Sequence, residues 1–137
     1  MGAVREARRS DSESVVALWH ACELTRPWND AAADFVLAVQ GSSSTVLVAE
    51  GEGGITGSVM VGFDGHRGWV YYLAVAPGHR HKGLGRHLME AAEQWLRSRG
   101  APKIQLMVRE DNEAAIGFYA ALGLETQKVV TLGRFLG

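Results

Sequence analysis

Hydrophobic positions along the chain switch between helical and strand-like spacing, and their order predicts a mixed α/β fold. Apolar residues three or four positions apart predict four helices, two of them after Asp11 and Asp30, one at 84–99 and one from Glu113. Short apolar runs between turns predict strands at 4–8, 45–50, 55–61, 69–75, 103–108 and 128–132. The predicted order is therefore β-α-α-β-β-β-α-β-α-β.

Polar and glycine residues mark where the predicted helices begin and end. Short polar residues precede three of these apolar helical runs, and their side chains can accept a hydrogen bond from an unpaired N–H group: Ser10 or Asp11 before the first, Asp30 before the second and Asn112 before the last. Gly123 follows the last helix, where glycine commonly adopts the left-handed conformation that ends a helix. These residues set the expected limits of the helices.

The length and net charge of the chain predict a single globular domain that does not bind nucleic acid. The 137 residues can bury a sizeable core, with 47% of them apolar and 21% charged. We therefore expect one domain over residues 1–137, without repeats or low-complexity segments. The formal net charge of -1 is unlike the strong positive charge with which proteins grip nucleic acid. Nucleic acid is not an expected partner.

Cysteine usage and the absence of long apolar stretches predict a cytoplasmic protein. Cys22 is the only cysteine, so no internal disulfide can form, as is usual in a reducing compartment. No run of about 18 apolar residues could cross a membrane. The start, MGAVREARRS, also lacks the apolar stretch of a secretory signal. We expect no membrane partner.

Basic and glycine residues follow the strand predicted at 69–75 and open the third helix. Residues 80–86 read Arg-His-Lys-Gly-Leu-Gly-Arg. A helix N-terminus presents unpaired N–H groups and positive potential, and Gly83 and Gly85 leave room for an anion to approach them. A Walker loop would need GxxxxGK with Ser or Thr, and a dinucleotide fingerprint would need a third glycine; both are missing. The segment predicts a phosphate or pyrophosphate site of another kind.

A second motif follows after a predicted helix and strand. Residues 112–119 read Asn-Glu-Ala-Ala-Ile-Gly-Phe-Tyr, and residues 121–124 read Ala-Leu-Gly-Leu. The first motif, Arg-x-x-Gly-x-Gly, resembles the acyl-CoA pyrophosphate loop of the GNAT superfamily of N-acetyltransferases. The second resembles the other signature of that superfamily, in the same order along the chain. The element order is also similar to the GNAT order over almost the whole chain. The resemblance implies a mixed central sheet of about six to seven strands flanked by about four helices.

The resemblance implies acetyl-CoA as the cosubstrate, with no metal. The pantetheine arm would lie along the central strand and pair with its backbone, and the pyrophosphate would rest on the N–H groups of the basic loop. A backbone amide of the strand would polarise the acyl oxygen. The cofactor-binding residues carried over in this way are Leu73, Ala74, Val75, Arg80, His81, Lys82, Gly83, Leu84, Gly85, Arg86, Asn112, Ala115, Phe118 and Tyr119.

The implied reaction is direct attack of a primary amine on the thioester. Tyr119 matches the tyrosine that commonly protonates the leaving sulfur in the family, although a core aromatic is the alternative interpretation. The carboxylates that serve as general base in some relatives have no counterpart in the central strand or the next one. The open candidates for the base are a water chain or Glu50, Asp64, His66, Glu110 and Asp111.

Two loops are expected to bind the acceptor, because acceptor specificity in this fold tends to come from them. They are the loop between the first two helices and the hairpin before the central strand. The candidate residues are Arg26, Trp28, Asp30, Asp64 and His66. These loops resemble those of small stand-alone bacterial GNAT proteins, which do not name an acceptor. A small-molecule or peptide amine is therefore expected.

Two further alternatives stay open. The fold could serve as a non-catalytic acyl-CoA-binding sensor or interaction module, for which the missing base is the sole support. Many GNAT proteins dimerise through late strands, and the apolar Val129, Val130 and Leu132 would allow a homodimer or could belong to the core of the sheet.

Overall fold

The computed structural model describes residues 3–137 and divides into a larger unit, which ends at Met107, and a smaller unit, Val108–Gly137. The larger unit contains five strands and three α-helices, and the smaller unit contains one α-helix. In chain order the elements are β1 (Ala3–Glu6), α1 (Ser12–Ala21), α2 (Ala31–Gln40), β2 (Ser44–Gly51), β3 (Gly54–Phe63), β4 (Gly68–Val75), α3 (Leu84–Ser98), β5 (Ile104–Gln105) and α4 (Glu113–Ala121).

The five strands form one mixed sheet in the order β1-β2-β3-β4-β5. The first four strands pair antiparallel, joined in sequence by tight turns or by the α1–α2 crossover. β5 instead pairs parallel to β4, and only where Gly68 faces Ile104 and Trp69 faces Gln105. β4 is therefore fully bordered by β3 on one side and only briefly by β5 on the other.

Helices cover both faces of the sheet, because strand residues alternate between two apolar faces. Val46 and Val48 of β2 are fully buried in a cluster with Val15, Trp19 and Phe35 from α1 and α2. α3 packs on β2, β3 and β4 through the apolar stripe expected from its sequence. The four residues of that stripe, Leu84, Leu88, Ala92 and Trp95, are all buried. Each fully buried large apolar side chain contributes about 1.5–3 kcal/mol.

Gly68 permits the close approach of α3 to the beginning of β4. A Cβ atom at this position would lie 2.5 Å from Leu96 Cδ1 and 2.6 Å from Leu96 Cδ2, closer than van der Waals contact allows. Leu96 is itself buried, so it has little room to move.

We therefore expect Gly68→Ala to lower the free energy of unfolding by about 1–3 kcal/mol through overpacking. Urea denaturation would measure the change. Gly78→Ala is the matched control, because a Cβ atom there meets nothing within 4 Å. Equal stability of the two variants would contradict the close packing of α3 on β4.

The sheet has fewer strands than the sequence predicts. The strand expected at 103–108 is limited to Ile104–Gln105, and the strand expected at 128–132 is absent from the described residues. A strand needs a partner for its backbone and cover for its apolar side chains. Val129, Val130 and Leu132 are instead 73%, 84% and 91% exposed. The mixed α/β fold with four helices is confirmed, and the expected six to seven strands are corrected to five.

Candidate functional site

The loop after β4 leads into the N-terminus of α3 with its backbone arranged for an anion. Gly83 is the N-cap of α3 and has φ of 85°, in the left-handed region that favours glycine. The first helical hydrogen bond runs from His87 N to Gly83 O at 3.0 Å, so the N–H groups of the three residues before His87 have no helical acceptor. No Asp or Glu occurs in the segment 76–89. The segment therefore combines free donors with positive potential.

The four basic side chains of the loop, Arg80, His81, Lys82 and Arg86, are all exposed. Arg80 is also fastened to the end of β4, because its Nε donates to the carbonyl oxygen of Val75 at 3.0 Å. Its Nη2 lies 3.4 Å from the sulfur of Cys22, whose thiol donates to the same carbonyl at 3.3 Å. Arg80 thus braces the loop against the end of β4.

The second edge of β4 is open beyond its first two residues. Within residues 3–137, the strand along this edge is β5, and it pairs only with Gly68 and Trp69. Residues 73–75, for which the sequence predicts contact with pantetheine, lie beyond this pairing. An extended ligand can add to an unpaired strand edge through main-chain hydrogen bonds. The open edge is followed along the chain, after residues 76–82, by the anion cradle, which is formed by the N–H groups at the N-terminus of α3.

A β-bulge interrupts β4 just before this open stretch. Tyr71 faces Met60 and Ala74 faces Ser58, so Tyr72 and Leu73 together oppose a single residue of β3. Tyr72 has φ of 52°, which is uncommon for a residue with a bulky side chain. A bulge of this kind redirects the backbone N–H and carbonyl groups around it.

Three contacts hold Tyr72 in this conformation. Its ring stacks on Trp19, with 3.9 Å between ring centroids and 7° between the planes. The hydroxyl of Ser58 donates to the carbonyl oxygen of Tyr72 at 3.3 Å and accepts from Trp19 Nε1 at 2.9 Å. The hydroxyl of Tyr72 donates to Asp34 Oδ2 at 2.7 Å. Burial and then the bond to the Asp34 carboxylate raise the pKa of Tyr72 above its ordinary value, so it stays protonated.

A cleft of about 600 Å³ opens on the α2 side of this bulge. The loop between α1 and α2, α2 itself, β2, β3 and β4 contribute its walls. The lining residues are Leu24, Asn29, Asp34, Leu37, Ala38, Ser44, Met60, Val61, Gly62, Tyr71 and Tyr72. The volume is within the range of small-molecule sites.

None of the five residues expected to contact the acceptor is among the lining residues of this cleft. Asp30 caps α2 by accepting from Ala33 N at 3.0 Å, as its position predicted. Arg26 donates to the carbonyl oxygens of Glu23 and Thr25, and Trp28 is 56% exposed.

Asp64 and His66 lie at the tip of the β3–β4 hairpin, where Asp64 organises the turn. Its Oδ1 accepts from the N–H groups of His66 and Arg67, and its Oδ2 accepts from Trp69 Nε1 at 3.2 Å. The two backbone hydrogen bonds lower the pKa of Asp64 below its ordinary value. Contact of an acceptor with Arg26, Trp28, Asp30, Asp64 and His66 stays a prediction.

The remaining base candidates are dispersed. Glu50 is paired with Arg5 at 3.1 Å on the β1–β2 edge of the sheet. Glu110 and Asp111 are exposed residues of the smaller unit. Sequence reasoning did not single out Asp34, because a carboxylate on a helix has no signature of its own. Its link to Tyr72, which is 38 positions away, appears only in three dimensions.

The smaller unit contains the second motif at the beginning of α4. Asn112 caps this helix, as predicted, by accepting from Ala115 N at 3.1 Å through its side-chain oxygen. Gly123 has φ of 91° just beyond the helix, also as predicted. Tyr119 is half-buried and its ring meets Phe118 edge to face, with 5.0 Å between centroids. Burial raises the pKa of Tyr119 to about 12, so its hydroxyl keeps its proton at neutral pH.

Residues 3–137 contain no group of three or more His, Cys, Asp and Glu side chains that could hold a metal ion. None of the helices in this range has the length and hydrophobicity to span a membrane.

Comparison with known proteins places these features in context. The model of the Acetyltransferase (GNAT) family matches residues 6–124. An acetyltransferase of Pectobacterium atrosepticum is 48% identical over 133 residues, which cover 97% of this chain and 94% of the relative. An acetyltransferase of Yersinia enterocolitica is 47% identical over the same length and coverage. The structure of AAC(6')-Iy in complex with a CoA-based bisubstrate analogue has a TM-score of 0.85, with 17% identity, and covers 100% of this chain and 99% of that one.

Proposed function

The chain belongs to the acetyltransferase (GNAT) family and is an acyltransferase, and we propose that it transfers an acetyl group from acetyl-CoA to a primary amine of a small molecule or peptide. The open edge of β4, continuous with the cradle at the N-terminus of α3, carries this proposal. Pantetheine and pyrophosphate need such a pair of features in this order. The CoA-based ligand named for AAC(6')-Iy adds support from a protein of the same fold.

The N–H groups from His81 to Arg86 would bind the pyrophosphate, with the basic side chains adding charge-assisted contacts. The backbone of Leu73, Ala74 and Val75 would hold the pantetheine arm. The residues present fit this ligand, because the α3 N-terminus has unpaired donors and no carboxylate occurs between positions 76 and 89. Asn112, Ala115 and Phe118 are proposed contacts on the basis of the family motif.

The β4 bulge would serve the chemical step. A backbone N–H of the bulge directed at the acyl oxygen would polarise the carbonyl and stabilise the charge that develops on it. The neutral amine then attacks the acyl carbon, and the bond between that carbon and sulfur breaks. Tyr119 would donate its proton to the departing thiolate, since burial keeps its phenol protonated at neutral pH. The amine loses its proton to solvent, and the Tyr119 phenolate regains a proton from solvent.

The alternative is a non-catalytic acyl-CoA sensor. Comparing the amounts of the two products, free thiol and acetylated amine, distinguishes the two functions. Acetyl-CoA and a panel of primary amines would be incubated with the protein, and both free thiol and acetylated amine would be measured. An acetyltransferase produces them in equal amounts. Slow thiol release without acetylation of any amine would favour the sensor.

A further inference from the structure

The side chains that line the cleft beside the β4 bulge include a negative charge but no positive charge. Its eleven lining residues include one carboxylate, Asp34, and no Lys, Arg or His. Aromatic rings of Tyr71 and Tyr72 form part of the wall, and apolar side chains of α2 and β3 form much of the rest. Such a surface favours a cationic ligand, since a carboxylate and aromatic faces both attract positive charge.

Asp34 has acceptor capacity that the protein does not use. Its Oδ2 accepts from the hydroxyl of Tyr72 at 2.7 Å. Its Oδ1 has no hydrogen-bond donor among residues 3–137, and no basic side chain in this range forms an ion pair with it. A carboxylate offers about four lone-pair positions, so an ammonium group in the cleft would meet an open acceptor.

The reacting amine and the group that Asp34 attracts must be different. The reacting nitrogen has to be neutral and has to reach an acyl group held along β4. A group paired with a carboxylate is instead held in its protonated form. Asp34 is also separated from the β4 backbone by the length of the Tyr72 side chain, at whose far end its Oδ2 accepts a hydrogen bond.

On the premise of the proposed function, we propose that this cleft binds the acceptor through a second positive charge, with Asp34 as its anchor. The acceptor class is then a diamine or a related compound with one reacting amine and one retained ammonium group. Tyr72 would have two roles, since its hydroxyl orients the Asp34 carboxylate and its backbone forms the bulge.

Diaminopentane and aminopentanol test this proposal, because they have the same chain length and differ in one terminal charge. A hydrogen bond to a charged group is stronger than one between neutral groups, so we expect kcat/KM with acetyl-CoA to be at least about tenfold higher for the diamine. Asp34→Asn should remove this preference by raising KM for the diamine, with little change for aminopentanol. Glu13→Gln, which removes an exposed carboxylate on α1, is the matched control and should keep the preference.

Two results would overturn the assignment. One is an equal kcat/KM for the two probes with the wild-type protein. The other is an Asp34→Asn variant that loses activity equally with both, which would make Asp34 a structural residue or the general base. Thermal unfolding of the variant, with and without acetyl-CoA, checks that it folds and binds the cosubstrate.

A binding measurement separates this proposal from the proposed function. Titration of diaminopentane into the protein in a calorimeter needs no turnover, and Asp34→Asn should weaken binding about tenfold. Asp34-dependent binding without transfer to any amine would contradict the proposed acetyl transfer and would still support the cation site in the cleft. Acetyl transfer that does not depend on Asp34 in either assay would contradict the cation site in the cleft and leave the proposed acetyl transfer supported.

Discussion

Replacing Tyr119 by phenylalanine is expected to lower kcat by about 100-fold, because general acid catalysis typically contributes 10²–10⁴-fold. The dissociation constant of acetyl-CoA should stay within about twofold of wild type, since the ring and its packing against Phe118 are retained. Single-turnover acetylation at saturating acetyl-CoA would measure the chemical step directly. A thiolate that must leave without its proton donor makes that step slow.

Tyr71→Phe is the matched control for Tyr119→Phe. It removes a phenolic hydroxyl from a half-exposed side chain of β4 that lines the cleft but has no assigned proton transfer, and it keeps the aromatic ring that the cleft uses. Unchanged kcat in Tyr119→Phe, or an equal loss in both variants, would count against the proton donor. With the pKa of Tyr119 at about 12, the wild-type rate should also show no alkaline decline from this group through the neutral range.

The second large effect concerns the cradle at the N-terminus of α3. Gly83→Asp should weaken binding of CoA roughly 30-fold or more, because the new carboxylate repels the pyrophosphate at close range. The side chain would also accept hydrogen bonds from the N–H groups that the pyrophosphate needs, since aspartate is a strong N-cap residue. Calorimetric titration with CoA would measure the change.

Gly83→Asn separates charge from geometry in this experiment. Asparagine has the same size and tolerates the left-handed φ of 85° about as well as aspartate. We expect it to weaken binding by much less, and the two variants to unfold at similar temperatures, because both place a side chain of the same size at this φ. Equal affinity of Gly83→Asp and wild type would place the pyrophosphate elsewhere.

Local patterns in the sequence were sufficient for most of the fold. The apolar stripe of α3 predicted its buried face because an amphipathic helix carries that information within itself. Asp30 and Asn112 were predictable as caps for the same reason, since a cap bonds to the helix that follows it. The basic loop was likewise visible as a motif between a strand and a helix.

Features that depend on partners far along the chain were not predictable. The apolar run at 69–75 predicts a regular strand, whereas the bulge at Tyr72 depends on pairing with β3 and on Trp19 beneath the ring. The open edge of β4 exists because β5 is short, and the sequence had predicted a longer strand. The apolar residues Val129, Val130 and Leu132 have strand propensity, but in the structure they are exposed and are not part of a strand.

The functional residues of the cleft also could not be predicted from the sequence. Residues with charge and aromatic surface in two loops were natural candidates for acceptor binding, yet Asp30 and Asp64 use their carboxylate oxygens to organise local structure. Asp34 lies one helical turn beyond Asp30 and looked like an ordinary polar helix position. Its significance comes from the hydroxyl of Tyr72, and therefore from the tertiary structure.

The most direct test of the central claim is the shift in thermal unfolding produced by acetyl-CoA, CoA, ATP and NAD at matched concentrations. A ligand that binds only the folded state adds about 2.7 kcal/mol of stability at one hundred times its dissociation constant, which raises the unfolding temperature by several degrees. We predict a shift of this size with acetyl-CoA and with CoA, and little or none with ATP or NAD. No shift with either CoA compound, or an equal shift with ATP, would contradict the acyl-CoA site on β4 and α3.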